Sequence, residues 1–271
     1  MHKVSFIGGG NMAAAIIGGL IASGTQPADI EVVEINADAR AQLSARFGVV
    51  THTDLSQARL HGLIVLAVKP QTLPDVAAAL ASRLAGQLVV SIAAGVRVAD
   101  LARWLGGHNR IVRAMPNTPA LVQAGIAGLY AAPAVGQDAR SQAEAVLRAV
   151  GGVVWVDDEP QLDAVTAVSG SGPAYVFYFI ESLEAAAAAQ GLAPETARQL
   201  ALQTFFGAAK LALESGEEPG VLRQRVTSRG GTTERGMAVL EAAAVNLAIS
   251  QAVEAASRRS AELGDELGRL A

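Results

Sequence analysis

Residues 3–13, Lys3-Val4-Ser5-Phe6-Ile7-Gly8-Gly9-Gly10-Asn11-Met12-Ala13, join a short apolar run to a glycine-rich turn. The apolar run is typical of a buried strand, and the apolar residues at 14–20 are typical of a helix. In the G-x-G-x-x-A pattern between them, Gly8 permits a tight turn, Gly10 lets the backbone approach a pyrophosphate, and Ala13 lets the helix pack closely on the strand. The stretch predicts a dinucleotide site, and its candidate cofactor contacts are Gly8, Gly10, Asn11, Met12 and Ala13.

The second predicted strand, residues 30–35, contains Glu34 at about the spacing expected for an acidic group that binds the adenosine ribose. A carboxylate there accepts hydrogen bonds from the ribose hydroxyls and repels the additional phosphate of NADP(H). Glu34 therefore favours NADH. In the alternative interpretation Glu34 faces solvent, and Asn36 and Arg40 form a phosphate pocket instead.

Strand and helix patterns alternate along the first 158 residues, as in a doubly wound α/β fold. Further strands are predicted over 63–68, 88–92, 110–114, 125–131 and 153–156, and helices over 38–47, 73–84, 98–105 and 137–150. From residue 162 onward the apolar period is helical, and helices are predicted over 161–168, 173–190, 194–214, 219–226 and 232–268. The predicted fold class is α/β, with an N-terminal Rossmann dinucleotide-binding domain at 1–158 and an all-α dimerisation and substrate-binding domain at 159–271.

Composition limits the partners of the chain. A hydrophobic content of 51% and a mean hydropathy of +0.33 leave the helical domain more apolar surface than a monomer buries, so a homodimer is expected. A net charge of −4 without a basic run excludes nucleic acid and anionic membranes as partners. The chain has no cysteine and its four histidines lack ligand spacing, so no metal is predicted.

An uncharged run at residues 4–28 has the hydropathy of a signal peptide or a membrane helix. Its glycines, Asn11 and Pro27 make it a poor spanning helix, whereas a strand, a turn and a helix account for every residue. With no export signal, the expected location is the cytoplasm.

Three loops follow predicted strands, where ligands bind in open α/β sheets. The first is Lys69-Pro70-Gln71, directly after the strand that ends with Ala67 and Val68, the second is Ala93-Ala94-Gly95, and the third contains Asn117 between Pro116 and Pro119. The small residues of the second loop admit a flat ring, and the prolines rigidify the third, so these loops form a predicted nicotinamide site. In the alternative interpretation Lys69 is a solvated lysine and the proline loop is a rigid connection.

The loop Ser228-Arg229-Gly230-Gly231-Thr232-Thr233 leads directly into the longest predicted helix. Adjacent glycines let N–H groups converge at the positive end of that helix, a geometry that binds a small anion such as a carboxylate. An ordinary helix start capped by threonine is the alternative. A hinge and a ligand contact are both open for Ser169-Gly170-Ser171-Gly172-Pro173-Ala174-Tyr175.

The chain resembles the pyrroline-5-carboxylate reductase family in five blocks that keep their order over nearly the full length. The blocks are Gly8-Gly9-Gly10-Asn11-Met12-Ala13, Ala67-Val68-Lys69-Pro70-Gln71, Arg113-Ala114-Met115-Pro116-Asn117-Thr118-Pro119, Asp163-Ala164-Val165-Thr166 with the following 169–175 segment, and Thr227-Ser228-Arg229-Gly230-Gly231-Thr232-Thr233. The resemblance implies reduction of the C=N bond of 1-pyrroline-5-carboxylate to L-proline by NAD(P)H, the last step of proline biosynthesis. It also implies a C-terminal domain of the 6-phosphogluconate-dehydrogenase-like type.

The resemblance assigns roles to individual residues as well. Thr233 is the hydroxyl nearest the ring nitrogen, Thr166 lines the pocket, and Glu159 contacts the substrate. The implied contacts of the substrate carboxylate are Ser228, Gly230, Gly231, Thr232 and Thr233. Interlocked homodimers, often assembled into decamers, are implied for the quaternary structure.

Two positions depart from the family pattern: Arg229 stands where most members have proline, and Leu55 stands near a common asparagine that touches the cofactor. Two other functions compete with the reductase. A β-hydroxyacid dehydrogenase would use Lys210, which lacks the expected G-x-x-x-N-x-x-K pattern. A regulatory dimer that senses a dinucleotide would need no carboxylate loop.

Overall fold

The computed structural model describes residues 3–270, so His2, one of the four histidines, lies outside the described residues. The chain forms two compact units. The first contains the residues up to Ser171 together with those from Glu254 onward, and the second is Gly172–Val253.

The first unit is built on an eight-stranded sheet with the order β3-β2-β1-β4-β5-β6-β7-β8. Neighbouring strands are parallel, except for the antiparallel pair β6 and β7. Every residue of the central strands β1 and β4 is buried, and the strand order reverses between them, as in other doubly wound sheets. The strands are β1 Val4–Ile7, β2 Ile30–Val33, β3 Val50–His52, β4 Leu63–Leu66, β5 Leu88–Ser91, β6 Ile111–Met115, β7 Gly125–Ala131 and β8 Gly151–Trp155.

Two groups of helices pack on this sheet: α1 contacts α2 and α5, and α3 contacts α4. Buried side chains such as Phe6, Ile16 and Leu66 join strands and helices in one hydrophobic core. The core positions the carboxyl ends of β1, β4, β5 and β6 along one edge of the sheet. The helices are α1 Asn11–Ala22, α2 Ala37–Phe47, α3 Leu73–Ala81, α4 Val98–Trp104, α5 Gln137–Arg148 and α6 Gln161–Val165.

The second unit is helical. It contains α7 Gly172–Ala189, α8 Pro194–Ser215, α9 Pro219–Arg225, α10 Thr232–Ala242 and the first part of α11 Val245–Gly268. Among residues 3–270 no single helix has both the length and the apolar composition of a membrane span; only α10 and α11 taken together, a pair bent by 51°, meet that requirement.

The predicted fold class is confirmed, but three elements differ from prediction: the strand β3 was not predicted, and two helices have other limits. The single helix predicted over 232–268 is wrong, because the chain breaks at Ala244, whose φ of +51° is left-handed. The helix predicted over 161–168 ends at Val165 and continues as one π-helical turn, Thr166–Gly170. Neither change is marked by a proline or by a glycine at the break itself.

The units do not follow the sequence boundary that the apolar period indicates. Residues 159–171 and residues from Glu254 onward pack with the sheet rather than with the helical unit. The domain limits 1–158 and 159–271 stay a prediction.

Candidate active site

The turn between β1 and α1 has the geometry that its glycines predict. Gly8 has a φ of +101°, and a Cβ placed on it would lie 2.5 Å from the carbonyl oxygen of Ala67, so only glycine fits. Gly10 caps α1 with an ordinary φ of −69°, and a Cβ on it would meet open space. The N–H groups of Asn11, Met12 and Ala13 precede the first intrahelical hydrogen bond, from Ala14 N–H to the Gly10 carbonyl, and are available to an anion. The cradle therefore fits a pyrophosphate.

Glu34 lies directly after β2, and its carboxylate faces this turn. Oε2 accepts a hydrogen bond of 2.7 Å from Gly9 N–H, and Oε1 accepts one of 2.8 Å from Asn36 N–H. The carboxylate also lines a cavity of about 250 Å³ at the carboxyl ends of β1, β2 and β4. Other lining residues are Gly8, Thr53, Asp54, Leu55 and Val68.

The two side chains of the alternative phosphate pocket, Asn36 and Arg40, both make hydrogen bonds to nearby backbone groups. The Asn36 side chain accepts a hydrogen bond from Ala39 N–H and caps α2. The guanidinium of Arg40 donates to the backbone carbonyls of Glu34 and Ile35 at 2.8 and 2.9 Å. Of Glu34, Asn36 and Arg40, Glu34 is the one that lines the cavity.

Thr53 and Asp54 were not predicted to line the cavity, and Leu55 was noted only as standing near a common asparagine that touches the cofactor. They follow β3, a short edge strand that lacks a clear apolar period. Leu55 presents an apolar wall to the cavity where the family commonly has asparagine. Hydrogen bonds from Ser56 lower the pKa of the exposed Asp54 carboxyl.

The loop after β4 continues the strand, because Ala67 N–H donates to the Ile7 carbonyl at 2.8 Å. Val68 lines the cavity, Lys69 is exposed, and Pro70 opens a short helical turn before α3. After β5, Ala93 and Gly95 are buried while Ala94 between them is exposed. This loop therefore presents Ala94 at the edge where the cofactor is predicted.

Asn117 is buried and its side-chain amide is already engaged. Its Nδ2 donates to the Ser169 carbonyl at 3.0 Å, and its Oδ1 accepts from Ile126 N–H at 2.9 Å. The residue ties the β6 loop to β7 and to the π-helical turn. It holds the predicted nicotinamide loops in place through these two bonds.

Thr166 lies in the same unit, at the start of the π-helical turn. Its hydroxyl donates to the Leu162 carbonyl at 2.7 Å. A Cβ on Gly170 would lie 2.7 Å from Cε of Met115 and 3.7 Å from Cγ2 of Thr166, so the turn packs directly on the β6 loop. Thr166 is thus close to the Met115–Asn117 part of the predicted cofactor edge.

Glu159 makes contacts that sequence reasoning missed. Its Oε1 accepts a hydrogen bond of 2.7 Å from Val98 N–H, at the start of α4, and one of 3.0 Å from Nη1 of the buried Arg113. A buried arginine requires such a partner, since an unpaired buried charge is costly. The observed role of Glu159 is therefore to join β6 to α4, and no spacing in the sequence links these residues.

The 228–233 loop lies in the second unit and has a compact geometry. Gly230 has a φ of +71°, and a Cβ on Gly231 would lie 2.5 Å from Oγ of Ser228. Gly231 N–H donates to the Ser228 carbonyl at 3.0 Å, and Gly230 N–H donates to Oε2 of Glu234 at 2.7 Å. Both glycine N–H groups are therefore satisfied within the chain.

The free donors come instead from the first turn of α10. The N–H groups of Thr232, Thr233 and Glu234 precede the first intrahelical bond of α10, from Arg235 N–H to the Gly231 carbonyl. Thr232, Thr233 and Arg229 are exposed. An acidic residue at the third position of a helix is a known sign of a helix start, but the bond of Glu234 to Gly230, the residue before the N-cap, is seen only in the structure.

Lys210, the residue of the competing dehydrogenase hypothesis, is an exposed side chain on α8. Its ammonium lies 3.7 Å from Oε1 of Glu214, one turn further along the helix. Among residues 3–270, no group of three His, Asp or Glu side chains has the arrangement of a metal site.

Comparison with known proteins identifies the family. Residues 159–263 match the family model for pyrroline-5-carboxylate reductase dimerisation, and residues 3–95 match that for coenzyme F420-dependent NADP oxidoreductase. The pyrroline-5-carboxylate reductase of Pseudomonas aeruginosa is 47% identical over 269 residues, which is 98% of both chains. A pyrroline-5-carboxylate reductase structure from Coxiella burnetii superposes with a TM-score of 0.93 at 44% identity, covering 97% of this chain and 98% of that one. The Plasmodium falciparum structure with NADP bound has a TM-score of 0.85 at 29% identity and covers 97% and 98%. The chain therefore belongs to the pyrroline-5-carboxylate reductase family.

Proposed function

We propose that the chain reduces the C=N bond of 1-pyrroline-5-carboxylate to L-proline with NAD(P)H, the last step of proline biosynthesis. The observation that carries the proposal is the loop before α10. It leaves three helix N-terminal N–H groups free, those of Thr232, Thr233 and Glu234, where the family resemblance places the substrate carboxylate.

The substrate carboxylate binds to these three N–H groups and to the hydroxyls of Ser228 and Thr233. Gly230 and Gly231 contribute shape rather than donors, because their own N–H groups already bond to Glu234 and Ser228. Gly230 supplies the left-handed turn, and Gly231 leaves room for the Ser228 side chain. This division explains why two adjacent glycines are needed in a loop that binds an anion.

The cofactor binds along the carboxyl edge of the sheet. Its pyrophosphate lies over Gly8 and Gly10 at the N-terminus of α1, with Asn11, Met12 and Ala13 as N–H donors. The adenosine ribose lies at Glu34, in the cavity that Val68 also lines. The nicotinamide end lies against Ala93, Ala94 and Gly95. Ala67, Lys69, Pro70 and Asn117 complete the proposed set of contacts.

The chemistry requires little acid–base assistance. When bound, the reduced nicotinamide supplies a hydride to the imine carbon, and the protonated nitrogen becomes the amine of proline. The residues of the chain hold the two reactants in place, which is the largest contribution that an enzyme makes to such a transfer. Thr233 hydrogen-bonds the ring nitrogen and orients the imine. Thr166 lines the pocket, and its hydroxyl donates to the Leu162 carbonyl. Glu159 contacts the substrate, and its bond to Val98 N–H holds it at the start of α4.

We further propose a preference for NADH. A second phosphate on the adenosine ribose would be brought close to the Glu34 carboxylate, which faces the cavity, and like charges repel. Arg40, the cation that would attract that phosphate, is bound to two backbone carbonyls. The Plasmodium falciparum relative has NADP bound, so the preference is a property in which relatives can differ.

The quaternary structure that we propose is a homodimer, which can assemble further into a decamer. The second unit exposes large apolar side chains that an isolated monomer would leave in water, such as Phe177, Tyr178, Phe206, Leu213 and Val239. The family model that covers this part of the chain is one for dimerisation. Sedimentation velocity over a range of protein concentrations distinguishes monomer, dimer and decamer. The predicted cytoplasmic location stays a prediction.

One assay tests the activity. The purified protein is mixed with 1-pyrroline-5-carboxylate and NADH or NADPH, cofactor absorbance is followed, and proline is quantified at the end. We expect oxidation of the cofactor with one proline formed per cofactor consumed. A protein that binds NADH but oxidises none in the presence of the pyrroline acid contradicts the proposal and favours a dinucleotide-sensing regulator.

A further inference from the structure

The loop that connects β5 to α4, residues 92–97, packs directly on the carboxyl-terminal part of α11. Gly95 has a φ of +78°, and a Cβ placed on it would lie 3.0 Å from Cδ1 of Leu267 and 3.6 Å from Cβ of Leu263. Leu267 is 8% exposed and belongs to the hydrophobic core of the first unit. Leu263 and Leu267, which follow Gly95 by more than 160 positions, therefore form the surface on which the proposed nicotinamide loop packs.

Arg97 fastens the end of the same loop to the same helix. Its Nη1 donates to Oδ1 of Asp265 at 2.6 Å, and its Nη2 donates to the Ala261 carbonyl at 3.1 Å. The guanidinium lies across Gly264, where a Cβ would approach Nε to 3.0 Å. The loop and the helix are thus joined by apolar packing at Gly95 and by charge-assisted hydrogen bonds at Arg97.

Two further hydrogen bonds join α4 to Gly268, the last residue of α11, and to Leu270 just beyond it. Nη2 of Arg103 donates to the Gly268 carbonyl at 2.8 Å, and the indole Nε1 of Trp104 donates to the Leu270 carbonyl at 3.1 Å. The first of these bonds satisfies a carbonyl group that the end of a helix leaves without an intrahelical donor. They keep Leu267 in place beneath the loop.

We infer that the carboxyl-terminal part of α11 is a positioning element for the nicotinamide end of the cofactor. Leu267 and Arg97 are the positioning residues: Leu267 packs against Gly95, Arg97 bonds the end of the loop to α11, and together they fix Ala93, Ala94 and Gly95. The inference rests on the proposed function, which places the nicotinamide on this loop. The proposed cofactor site, whose residues come from the N-terminal part of the sequence, therefore also depends on a helix from the C-terminal part.

The inference separates the two ends of the cofactor. ADP-ribose has the adenosine and pyrophosphate of NADH but lacks the nicotinamide, so it reports on Gly8, Gly10 and Glu34 alone. Loosening the loop 92–97 weakens NADH binding and leaves ADP-ribose binding as it is. A general loss of structure would weaken both.

The experiment measures the Kd of NADH and of ADP-ribose by calorimetry for wild type, Leu267→Ala and Arg97→Met. For Leu267→Ala we expect the Kd of NADH to rise about fivefold and that of ADP-ribose to stay within about twofold, with a fall in kcat because the reacting atoms are less well held. The Arg97 side chain lies at the surface, so its loss should disturb the loop less. For Arg97→Met we expect the Kd of NADH to rise about threefold. Arg259→Met is the matched control, because Arg259 is exposed on the same helix and pairs with Glu262 and Glu266 instead of the loop.

Equal changes in the two dissociation constants, or no change in either, overturn the inference. If Leu267→Ala does not fold, Arg97→Met and Asp265→Asn decide the matter, since neither removes a core side chain. If the wild-type protein binds NADH and forms proline, but the variants change the Kd of NADH and of ADP-ribose equally, the positioning role is disproved and the proposed function stands. A wild-type protein without NADH binding disproves the proposed function and the inference together.

Discussion

The backbone N–H of Gly9 donates a hydrogen bond of 2.7 Å to Oε2 of Glu34. This bond joins the turn after β1 to the end of β2 and holds a carboxylate at the cavity where we propose that the adenosine ribose binds. The glycine turn and the acidic residue, which are 25 positions apart, therefore form one structural feature.

Replacing Glu34 with glutamine tests the cofactor preference. Glutamine keeps an acceptor for Gly9 N–H but removes the negative charge, so repulsion of the NADPH phosphate falls. We expect kcat/KM for NADPH relative to NADH to rise about tenfold, equivalent to about 1.4 kcal/mol. Asp38→Asn is the control, because it removes an exposed charge in the first turn of α2. An unchanged ratio in Glu34→Gln would remove Glu34 from cofactor selection.

The substitution Gly10→Ala should weaken cofactor binding without changing the stability of the protein. The backbone of Gly10 is ordinary and a Cβ meets open space, so we expect an unchanged Tm. The same Cβ occupies the space over which the pyrophosphate lies, so the Kd of NADH should rise about tenfold or more. Gly8→Ala is the contrasting variant and should lose stability, because its Cβ would collide with the Ala67 carbonyl. Normal NADH binding by Gly10→Ala would place the cofactor elsewhere.

Thr233→Ala tests the proposed hydrogen bond to the ring nitrogen. Loss of a hydrogen bond to a charged group costs roughly 1.5–3 kcal/mol, so turnover should fall on the order of tenfold to a hundredfold. The Kd of NADH should not change. Thr233→Ser, which keeps the hydroxyl, should recover most of the rate. Kinetics of Thr233→Ala identical to wild type would exclude Thr233 from the mechanism.

Ala244→Gly should stabilise the protein. The left-handed φ of +51° costs an alanine about 1–2 kcal/mol, and glycine is the favoured residue just beyond a helix end. Glycine has more conformational freedom in the unfolded chain, so the net gain in unfolding free energy is about 0.5 kcal/mol. Ala243→Gly is the matched control, with a φ of −80°, and should destabilise. Equal losses in the two variants, measured by urea unfolding, would contradict the strained backbone at Ala244.

His61 gives stability a pH dependence. Burial lowers the pKa of this histidine, against the opposing effect of the nearby Glu31 and Asp29 carboxylates and with a further lowering by Arg59 and Lys3. Below about pH 6.5 the unfolded chain therefore binds more protons at this position than the native protein does, and the unfolding free energy falls as pH falls.

Urea unfolding of wild type and His61→Gln at about pH 7.5 and about pH 5.5 checks this expectation. The loss of unfolding free energy on acidification should be smaller in His61→Gln. His52 also contacts Glu31, at 3.1 Å, and remains in both proteins as a common background. Equal losses in the two proteins would show that His61 does not contribute.

The sequence predicts the fold where local signals and global structure agree. Gly8 and the buried strand before it define the first β-α unit, and the alternation of apolar runs defines the order of nearly all later elements. The edge strand β3 was missed because its three residues are partly exposed and carry no apolar period. The break at Ala244 was missed because an alanine gives no local sign of a left-handed turn.

The parts of the candidate site that are formed by backbone groups were predictable from the sequence. The 228–233 loop and the turn at Gly8 depend on glycines, which can be read from the sequence. Side-chain pairs between distant residues cannot be read in this way. The contact of Glu159 with Arg113 spans 46 positions, and the bond of Arg97 to Asp265 spans 168, so both require the tertiary structure.

The return of residues 254–270 to the first unit has a consequence for biosynthesis of the chain. A ribosome delivers the residues up to Ser171 long before it delivers Leu267, so the nascent first unit is left with an apolar gap. A fragment that stops at Ser171 lacks the Leu267 side chain that fills this gap. All eight strands precede residue 156, so the sheet does not wait for the rest of the chain. The packing of Leu267 beside Gly95, in contrast, forms only after synthesis has passed through the whole second unit.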